Sequence, residues 1–199
     1  MSGLHYACRN GLYDEVVKLI NHGHNPNLAD QKGNTPLCLA IKRSDRIAKY
    51  LLDNNTDPNS ADHQGNSALI LAVVHDRTEL VKLLIERGAH LTYNGKVALY
   101  YTVKNKNLKI AERLLQLGAS PNDYNNNGET SLHIAIKNGS YFIAKLLLAY
   151  NADPYLLTNY GGNRKNYSSF DFAKRINLPG CLNLLEKFTS LDIKEPETN

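Results

Sequence analysis

Short apolar segments alternate with polar turns along the chain, and their order repeats. In most copies a leucine is followed three residues later by an alanine, as in Leu37 and Ala40 or Leu132 and Ala135. A second apolar segment then carries an aliphatic pair, and the copies of this pair are Leu19-Ile20, Leu51-Leu52, Leu84-Ile85, Leu114-Leu115, Leu147-Leu148 and Leu184-Leu185. Short segments with apolar residues at helical spacing predict amphipathic helices. We therefore expect an all-α fold with two helices in every repeat.

A turn signal separates the repeats. Glycines recur at intervals of 30 to 34 residues, and an Asp, Asn or Thr stands three residues before each of them; these glycines are Gly33, Gly65, Gly95, Gly128 and Gly162. An Asp or Asn side chain can accept hydrogen bonds from nearby backbone N–H groups, while glycine tolerates positive φ. Thr35 and Thr130 then predict capped starts of the first helices. The second helices are expected at about Arg46–Asp53 and Tyr141–Ala149 in two of the copies, and glycine or asparagine closes each one.

The repeat resembles that of the ankyrin family. The segments GNTPLCLA at residues 33–40 and GETSLHIA at residues 128–135 carry the family's first motif, and Asp57-Pro58-Asn59 and Ser120-Pro121-Asn122 match its second. A period of about 33 residues with these motifs is specific for this family. The resemblance implies an all-α solenoid of stacked helix-turn-helix units with short β-turn finger loops, since a single repeat cannot bury its apolar face alone.

The resemblance covers most of the chain and predicts its domain organisation. We expect one ankyrin repeat domain over residues 1–188, with an N-terminal cap at 2–30, full units at 31–62, 63–92, 93–125 and 126–158, and a C-terminal cap at 159–188. In the last unit Phe170 stands eight residues after Gly162 instead of four, which predicts a lengthened finger over Tyr160–Ser169. Residues 189–199 are expected to form a disordered acidic tail.

The composition of the chain also indicates where in the cell the protein is expected. The 199 residues are 42% hydrophobic and 21% charged, with a net charge of +4, values typical of an ordinary globular protein. We expect no membrane-spanning helix and no secretory signal, because the chain shows no long apolar run and no basic-then-apolar N-terminus. Three widely spaced cysteines, Cys8, Cys38 and Cys181, suit a reducing compartment. We therefore expect a cytoplasmic monomer, with the nucleus as an alternative location.

The sequence offers no catalytic motif. Gly161-Gly162 with the basic residues after it falls short of a phosphate-binding loop, and His22 and His24 have no third ligand at metal-binding spacing. The three cysteines form no Cys-x-x-Cys motif and are expected in the core. His5 and His133 occupy the histidine position of the family motif, where the resemblance implies structural hydrogen bonds between units. We expect a non-enzymatic protein without cofactor or metal.

Exposed positions at the ends of the first helices are mostly basic. In the ankyrin family, the resemblance implies, partner proteins are bound by these positions and by the finger tips. The positions two and three residues after the motif alanine are expected to form a ladder along one groove, with Arg9, Lys42, Arg43, Val74, His75, Lys104, Lys137 and Arg175 as its binding residues. Tyrosines on or near the fingers are expected to add contacts, and these are Tyr93, Tyr124, Tyr160 and Tyr167.

Two interpretations of the ladder stay open. It is either a solvated face or a groove for an acidic segment of a partner protein, whose binding would be sensitive to salt. Asparagine-rich runs such as Tyr124–Asn127 fit an AT-rich genome, and hence a microbial effector delivered into a host cytoplasm. The alternative functions are binding of an anionic ligand or nucleic acid through the ladder, and regulation within a larger enzyme. The lack of Trp and of aromatic residues between the basic positions argues against nucleic acid.

Overall fold

Short helices make up most of the described structure. The computed structural model describes residues 3–93, 96–159 and 165–191. Its helices are α1 (Gly3–Asn10), α2 (Tyr13–Asn21), α3 (Pro36–Ile41), α4 (Asp45–Asp53), α5 (Ala68–Val74), α6 (Thr78–Glu86), α7 (Ala98–Lys104), α8 (Leu108–Gln116), α9 (Ser131–Lys137), α10 (Tyr141–Ala149), α11 (Ser169–Arg175) and α12 (Pro179–Leu191), and its strands are β1 (Thr92–Tyr93) and β2 (Lys96–Val97). The two strands pair antiparallel. The prediction of an all-α fold of repeated helix pairs is confirmed.

The helices stack in two rows within each of two compact units. The units are residues 1–101 and 102–199, and α7 spans their boundary. In the first unit α1, α3 and α5 pack on one another in order, and α2, α4 and α6 form the second row. In the second unit α9 packs on α11, while α8, α10 and α12 form the other row. Helices this short are not stable alone, so the stacking supplies their stability. The boundaries of the six repeats stay a prediction.

The leucine and alanine of the repeat motif lie at the centre of each stack. Both are fully buried in copy after copy, namely at Leu37, Ala40, Leu69, Ala72, Leu132 and Ala135. The alanine leaves room for the neighbouring helix to approach, and the leucine fills the space between helices at the density typical of protein interiors. Thr102 stands in the alanine position of α7 and is also fully buried.

The first helices begin at hydroxyl caps, as the sequence predicts. Thr35 Oγ1 accepts a hydrogen bond from the Cys38 N–H at 3.4 Å. Thr130 caps α9 in the same way, and His133 Nδ1 accepts the Thr130 N–H at 3.1 Å, which satisfies a second free donor. Helices α4 and α10 lie within a residue of their predicted bounds.

An acidic or amide side chain organises the turn before the first helix of a repeat. Asp62 Oδ1 accepts hydrogen bonds from the backbone N–H groups of Gln64 and Asn66, both at 3.0 Å. Asp30 makes the corresponding bonds in the preceding turn, and Asn125 makes them before α9. The glycine of each of these turns adopts positive φ. The predicted turn mechanism is therefore confirmed at these three positions.

The turn before α9 touches the finger that follows it in the 102–199 unit. The backbone N–H of Asn159 donates to the Gly128 carbonyl at 2.6 Å, and a β-carbon at Gly128 would lie 1.8 Å from the Asn159 oxygen. At the base of the lengthened finger, the Thr158 N–H donates to the Tyr167 carbonyl at 2.9 Å. Of the predicted finger, residues 160–164 lie outside the described residues.

One asparagine after each of three second helices joins consecutive repeats. Asn122 Nδ2 donates to the Asn151 carbonyl at 3.1 Å, and Asn122 Oδ1 accepts the Asp153 N–H at 2.8 Å. Asn27 and Asn59 make the corresponding pairs of hydrogen bonds with the repeats that follow them. Each of these side chains is therefore a bidentate joint to backbone atoms of the next repeat; we call it the asparagine joint.

Helix α12 continues beyond the predicted end of the domain at residue 188. It ends at Leu191, and the Thr189 hydroxyl bonds back to the Leu185 and Glu186 carbonyls at 3.0 and 3.1 Å. Residues 189–191, predicted as part of a disordered tail, therefore belong to the helix, because polar side chains at a helix end can bond to the preceding turn. Residues 192–199 lie outside the described residues.

Replacing Gly128 with alanine should strongly destabilise the 102–199 unit. The new β-carbon would collide with the Asn159 backbone, and the φ of +69° disfavours any β-carbon. We expect a loss of at least about 2 kcal/mol in the free energy of unfolding, measured by urea denaturation. Gly180→Ala is the matched control, because nothing lies within 4 Å of its added carbon and alanine favours a helix. Equal midpoints for the two variants would contradict the close approach.

Asn122→Ala should weaken the asparagine joint by removing both of its hydrogen bonds. Two backbone groups would lose their partner, at a cost of roughly 1–3 kcal/mol. Asn183→Ala removes the same amide from the exposed face of α12 and should leave the unfolding midpoint unchanged or raised. Circular dichroism during urea denaturation compares the two variants. An unchanged midpoint for Asn122→Ala would show that the joint contributes nothing to stability.

Candidate functional site

In the 1–101 unit, two of the predicted ladder cations are paired with carboxylates. Arg9 Nη2 lies 3.3 Å from Asp30 Oδ2, and Lys42 Nζ lies 2.9 Å from Asp62 Oδ2. Both carboxylates are almost fully buried, with side-chain exposures of 3% and 0%, because the same groups hold the turns before α3 and α5. Each cation therefore links the end of a first helix to the next turn, and its charge is largely neutralised there.

Hydrogen bonds lower the pKa values of both carboxyls. Burial alone would raise the pKa of Asp62, but hydrogen bonds from Lys42 and from the Asn66 and Gln64 backbone outweigh it and hold the pKa below its ordinary value. The pKa of Asp30 is lowered in the same way, where backbone and side-chain hydrogen bonds outweigh burial. Both groups are therefore ionised at neutral pH.

Three other ladder positions in this unit remain exposed. Arg43 is exposed and lies over Gly11, where an added β-carbon would meet Arg43 Cγ at 3.4 Å. Val74 is 46% exposed, and His75 beside it is exposed as well. Partial burial and the nearby charges of Lys42 and Arg77 lower the pKa of His75, so its ring is neutral at pH 7. We call Gly11, Arg43, Val74 and His75 the first-helix edge, a surface that combines one cation with apolar and neutral groups.

In the 102–199 unit the predicted cations have different partners. Lys137 Nζ lies 2.6 Å from Glu129 Oε1, whose side chain is 7% exposed, and 5.2 Å from the centre of the Phe172 ring. Lys104 is exposed at the end of α7 and makes no ion pair in the part of the chain that the structure describes. The turn that follows Lys104 carries the neutral Asn125 where Asp30 and Asp62 stand in the first unit. An aspartate in the following turn thus neutralises Arg9 and Lys42, whereas Lys137 is neutralised by Glu129 of the turn before its own helix.

Tyr167 and Arg175 contact each other at the base of the last finger. Arg175 Nη1 donates to Tyr167 Oη at 2.8 Å, and the guanidinium carbon lies 5.2 Å from the ring centre. The Phe172 ring lies 5.5 Å from the same ring. Tyr167 is thus half-buried and held by neighbours, so replacing it would remove packing as well as any contact with a partner.

The other predicted finger tyrosines are in varied surroundings. Tyr124 is 38% exposed, and its hydroxyl donates to the Leu157 carbonyl at 3.0 Å. Tyr93 lies half-buried in β1, while Tyr160 lies outside the described residues. Tyr155 is 60% exposed and stacks on Phe170 with ring centres 5.4 Å apart.

The motif histidines have the linking role that the resemblance implies. His5 Nε2 lies 2.9 Å from the Leu28 carbonyl, and His133 Nε2 lies 2.9 Å from the Leu156 carbonyl. Burial is the main cause that lowers the pKa of His133, which keeps its ring neutral. These histidines connect a first helix to the loop after the following second helix.

The remaining reactive side chains are buried or bonded locally. Cys8, Cys38 and Cys181 are free and buried, and burial raises the pKa of Cys8 to about 12, which suppresses the thiolate. The rings of His22 and His24 bond to carbonyls of their own helix. Within residues 3–93, 96–159 and 165–191, no three His, Cys, Asp or Glu side chains are grouped to hold a metal, and no helix has the length and apolar content to cross a membrane.

Sequence reasoning missed two features of this surface. The first is the ion pair between a first-helix cation and the next turn, which the recurrence of a cation 21 or 20 residues before an aspartate, at Arg9 and Asp30 and at Lys42 and Asp62, could have suggested. The second is an exposed aromatic at Phe142, which is 72% exposed on α10. Aligning the second helices with one another would have identified it, because four of the other copies carry charged residues there.

Comparison with known protein families identifies the family to which the repeat belongs. The family model described as ankyrin repeats (3 copies) matches residues 4–94 and 90–158, which together make up most of the chain. Helices α11 and α12 lie outside this match. A search of curated proteins finds no match to the chain. The resemblance read from the sequence motifs is confirmed by the family match.

Asp62→Asn should distinguish the contribution of the ion pair to stability from the contribution of the turn hydrogen bonds. Asparagine keeps the acceptor for the two backbone N–H groups, as Asn125 does in its own turn, but it loses the charge that Lys42 meets. We expect the free energy of unfolding to fall by about 1–2 kcal/mol at pH 7. Asp14→Asn, on the exposed face of α2, changes the same charge and should cost no more than about 0.5 kcal/mol.

The same variant should change how stability depends on pH. Because the pKa of Asp62 is lower in the folded state, its contribution is present above the ordinary Asp value of 3.8 and is lost as pH falls through the lowered pKa. Asp62→Asn should therefore lose less stability than the wild type between pH 5 and pH 2, measured by urea denaturation at each pH. Parallel curves for the two proteins would contradict this role of the carboxylate.

Proposed function

Because the chain belongs to the ankyrin repeat family, we propose that it acts by binding a partner protein through the first-helix edge of residues 1–101. Ankyrin repeats are generally protein–protein interaction modules, and proteins built from them are typically non-enzymatic. The observation that carries the proposal is the exposure of Arg43, Val74 and the neutral His75 at the ends of α3 and α5, where the other predicted cation, Lys42, is already paired.

The chemistry of this edge favours an acidic segment that also presents an apolar side chain. Arg43 can make a two-pronged hydrogen bond with a carboxylate, and Val74 offers apolar surface that gains free energy when it is covered. Arginine is enriched among the residues that contribute most of the binding energy at protein interfaces. Attraction to an acidic segment would also weaken with added salt.

The paired cations argue against nucleic acid as the ligand. Arg9 and Lys42 face buried carboxylates, so the edge carries much less positive charge than the sequence suggests. Binding of a phosphate backbone needs several cations free to replace counterions, and aromatic side chains on which bases could stack are not interleaved with them. A protein partner fits the mixed surface better. We place this role in the cytoplasm, as an adaptor or as an effector inside a host cell.

The choice of variants follows from the ion pairs. Lys42→Glu or Lys137→Glu would set a second carboxylate against the nearly buried Asp62 or Glu129 and would report on folding instead of binding. Arg43→Glu reverses a charge that has no carboxylate partner among the described contacts and is therefore the informative change. Lys49→Glu is its matched control, since it reverses an exposed charge on α4, in the other row of helices.

Arg43→Glu should abolish the capture of a partner that Lys49→Glu retains. Affinity capture from cell lysate at low and moderate salt compares the wild type with both variants, after circular dichroism has shown that all three are folded. For a partner identified in this way, we expect the Kd to rise at least about tenfold in Arg43→Glu, a change of 1.4 kcal/mol. If all three proteins capture the same set with equal strength, the first-helix edge is only a solvated face.

A further inference from the structure

The second helices of the repeats can be compared position by position. Their second residue is exposed in every copy, and it is charged in four of them, at Asp14, Arg46, Glu79 and Lys109. In α10 the same position is Phe142, which is 72% exposed. The last residue of these helices is polar in the same four copies and is Ala149 in α10. Helix α10 therefore carries apolar residues at two exposed positions that are polar in these four helices.

Phe142 stands at the edge of an apolar groove. The groove has a volume of about 360 Å³ and lies between the starts of α8 and α10, where it is lined by Lys106, Leu108, Tyr141, Phe142 and Ile143 among others. The rings of Tyr141 and Phe142 meet edge to face at 5.6 Å, and Tyr141 and Leu108 are 40% and 42% exposed. Three large apolar side chains thus share one exposed patch, which is unusual for a surface that stays in contact with water.

A cation lies at this groove although its backbone conformation disfavours it. Lys106 has φ of 57°, in the left-handed region. The turns between helices in four other copies place Gly11, Asp76, Gly139 or Asn177 in that conformation, and these residue types tolerate it better than lysine does. Backbone strain of this kind is typical of functional positions. Lysine is therefore the less favoured residue type for this conformation, and its charge lies at the groove.

The charges around the groove indicate the chemistry of its occupant. Lys106 lines it, Lys109 follows Leu108 on α8, and Lys145 lies one turn after Phe142 on α10. None of the three forms an ion pair in the described part of the chain, and Glu112 is the carboxylate on the neighbouring turn of α8. A second copy of the chain would bring like cations together across a two-fold contact, which disfavours it. An acidic ligand is attracted instead.

We propose that this groove, which we call the Phe142 groove, binds a short segment of a partner protein that presents an apolar side chain flanked by carboxylates. The apolar side chain would fill the space between Leu108, Tyr141 and Phe142, while the carboxylates meet Lys106 and the lysines of α8 and α10. The proposal rests on the proposed function in that the ligand is a protein, but it uses different residues in the 102–199 unit.

Residues at the corresponding positions of the other repeats suggest substitutions that should preserve the fold. Phe142→Arg restores the kind of residue that α4 carries as Arg46, at an exposed position. Lys106→Gly restores the residue type that stands as Gly139 in the next repeat, and it should leave the unfolding midpoint unchanged or raised, because glycine adopts this conformation freely. A loss of binding in Lys106→Gly without loss of stability is a result that a merely structural lysine would not give.

The test is selection of ligands from a random library of twelve-residue peptides displayed on phage, with the full chain as target. We expect the enriched peptides to combine an aromatic or large aliphatic residue with flanking Asp or Glu. Fluorescence polarisation with the labelled synthetic peptides should show that Phe142→Arg raises the Kd at least about tenfold, that Lys106→Gly raises it about threefold or more, and that Arg43→Glu leaves it unchanged.

Several results would overturn the proposal that the Phe142 groove binds a segment of a partner protein. Selection that yields no peptide dependent on Phe142, or only peptides with basic flanks, contradicts it. Sedimentation that shows a dimer of the wild type, dissociated by Phe142→Arg, would assign the patch to a second copy. Because Arg43→Glu tests the first-helix edge separately, a partner lost only from that variant, together with a selection that yields no peptide dependent on Phe142, would remove the groove and leave the proposed function standing.

Discussion

The side-chain oxygen at the head of each turn is the interaction on which much of this structure depends. At Asp30, Asp62 and Asn125 one oxygen accepts two backbone N–H groups and so fixes the turn that delivers the chain to its next helix. When this residue is an aspartate, its second oxygen also receives the cation at the end of the preceding first helix. One position therefore sets both the geometry of the turn and the charge of the surface beside it.

This coupling explains why a row of lysines and arginines in the sequence is not a row of free cations in the fold. Arg9 precedes Asp30 and Lys42 precedes Asp62, and both are neutralised. Lys104 precedes Asn125, and it is left exposed. Val74, which is apolar, precedes the uncharged Thr92 in the sequence. An aspartate in the following turn thus neutralises Arg9 and Lys42, whereas a neutral turn residue leaves Lys104 exposed.

Much of the fold could be predicted because its causes are local. The caps at Thr35 and Thr130 and the asparagines and glycines that close the second helices depend on residues within one turn of each other, which sequence patterns show directly. The carboxylate partners of the ladder could not be read in the same way, because they join residues some twenty positions apart on different elements. Exposure of Phe142 was missed for another reason: an aromatic residue at the start of an apolar helix suggests packing, and only its four charged counterparts reveal that the position faces water.

The asparagine joint has a consequence for how such a chain can evolve. Asn122 holds the loop after α10 by a carbonyl and an N–H alone, so it places no demand on the identity of any side chain there. A repeat fastened through its backbone can differ from the other repeats in its outer residues, as α10 does, while keeping its position against its neighbour. The outer residues of each repeat can therefore change during evolution without weakening its attachment to the next repeat, since the hydrogen bonds of the asparagine joint are made to backbone atoms.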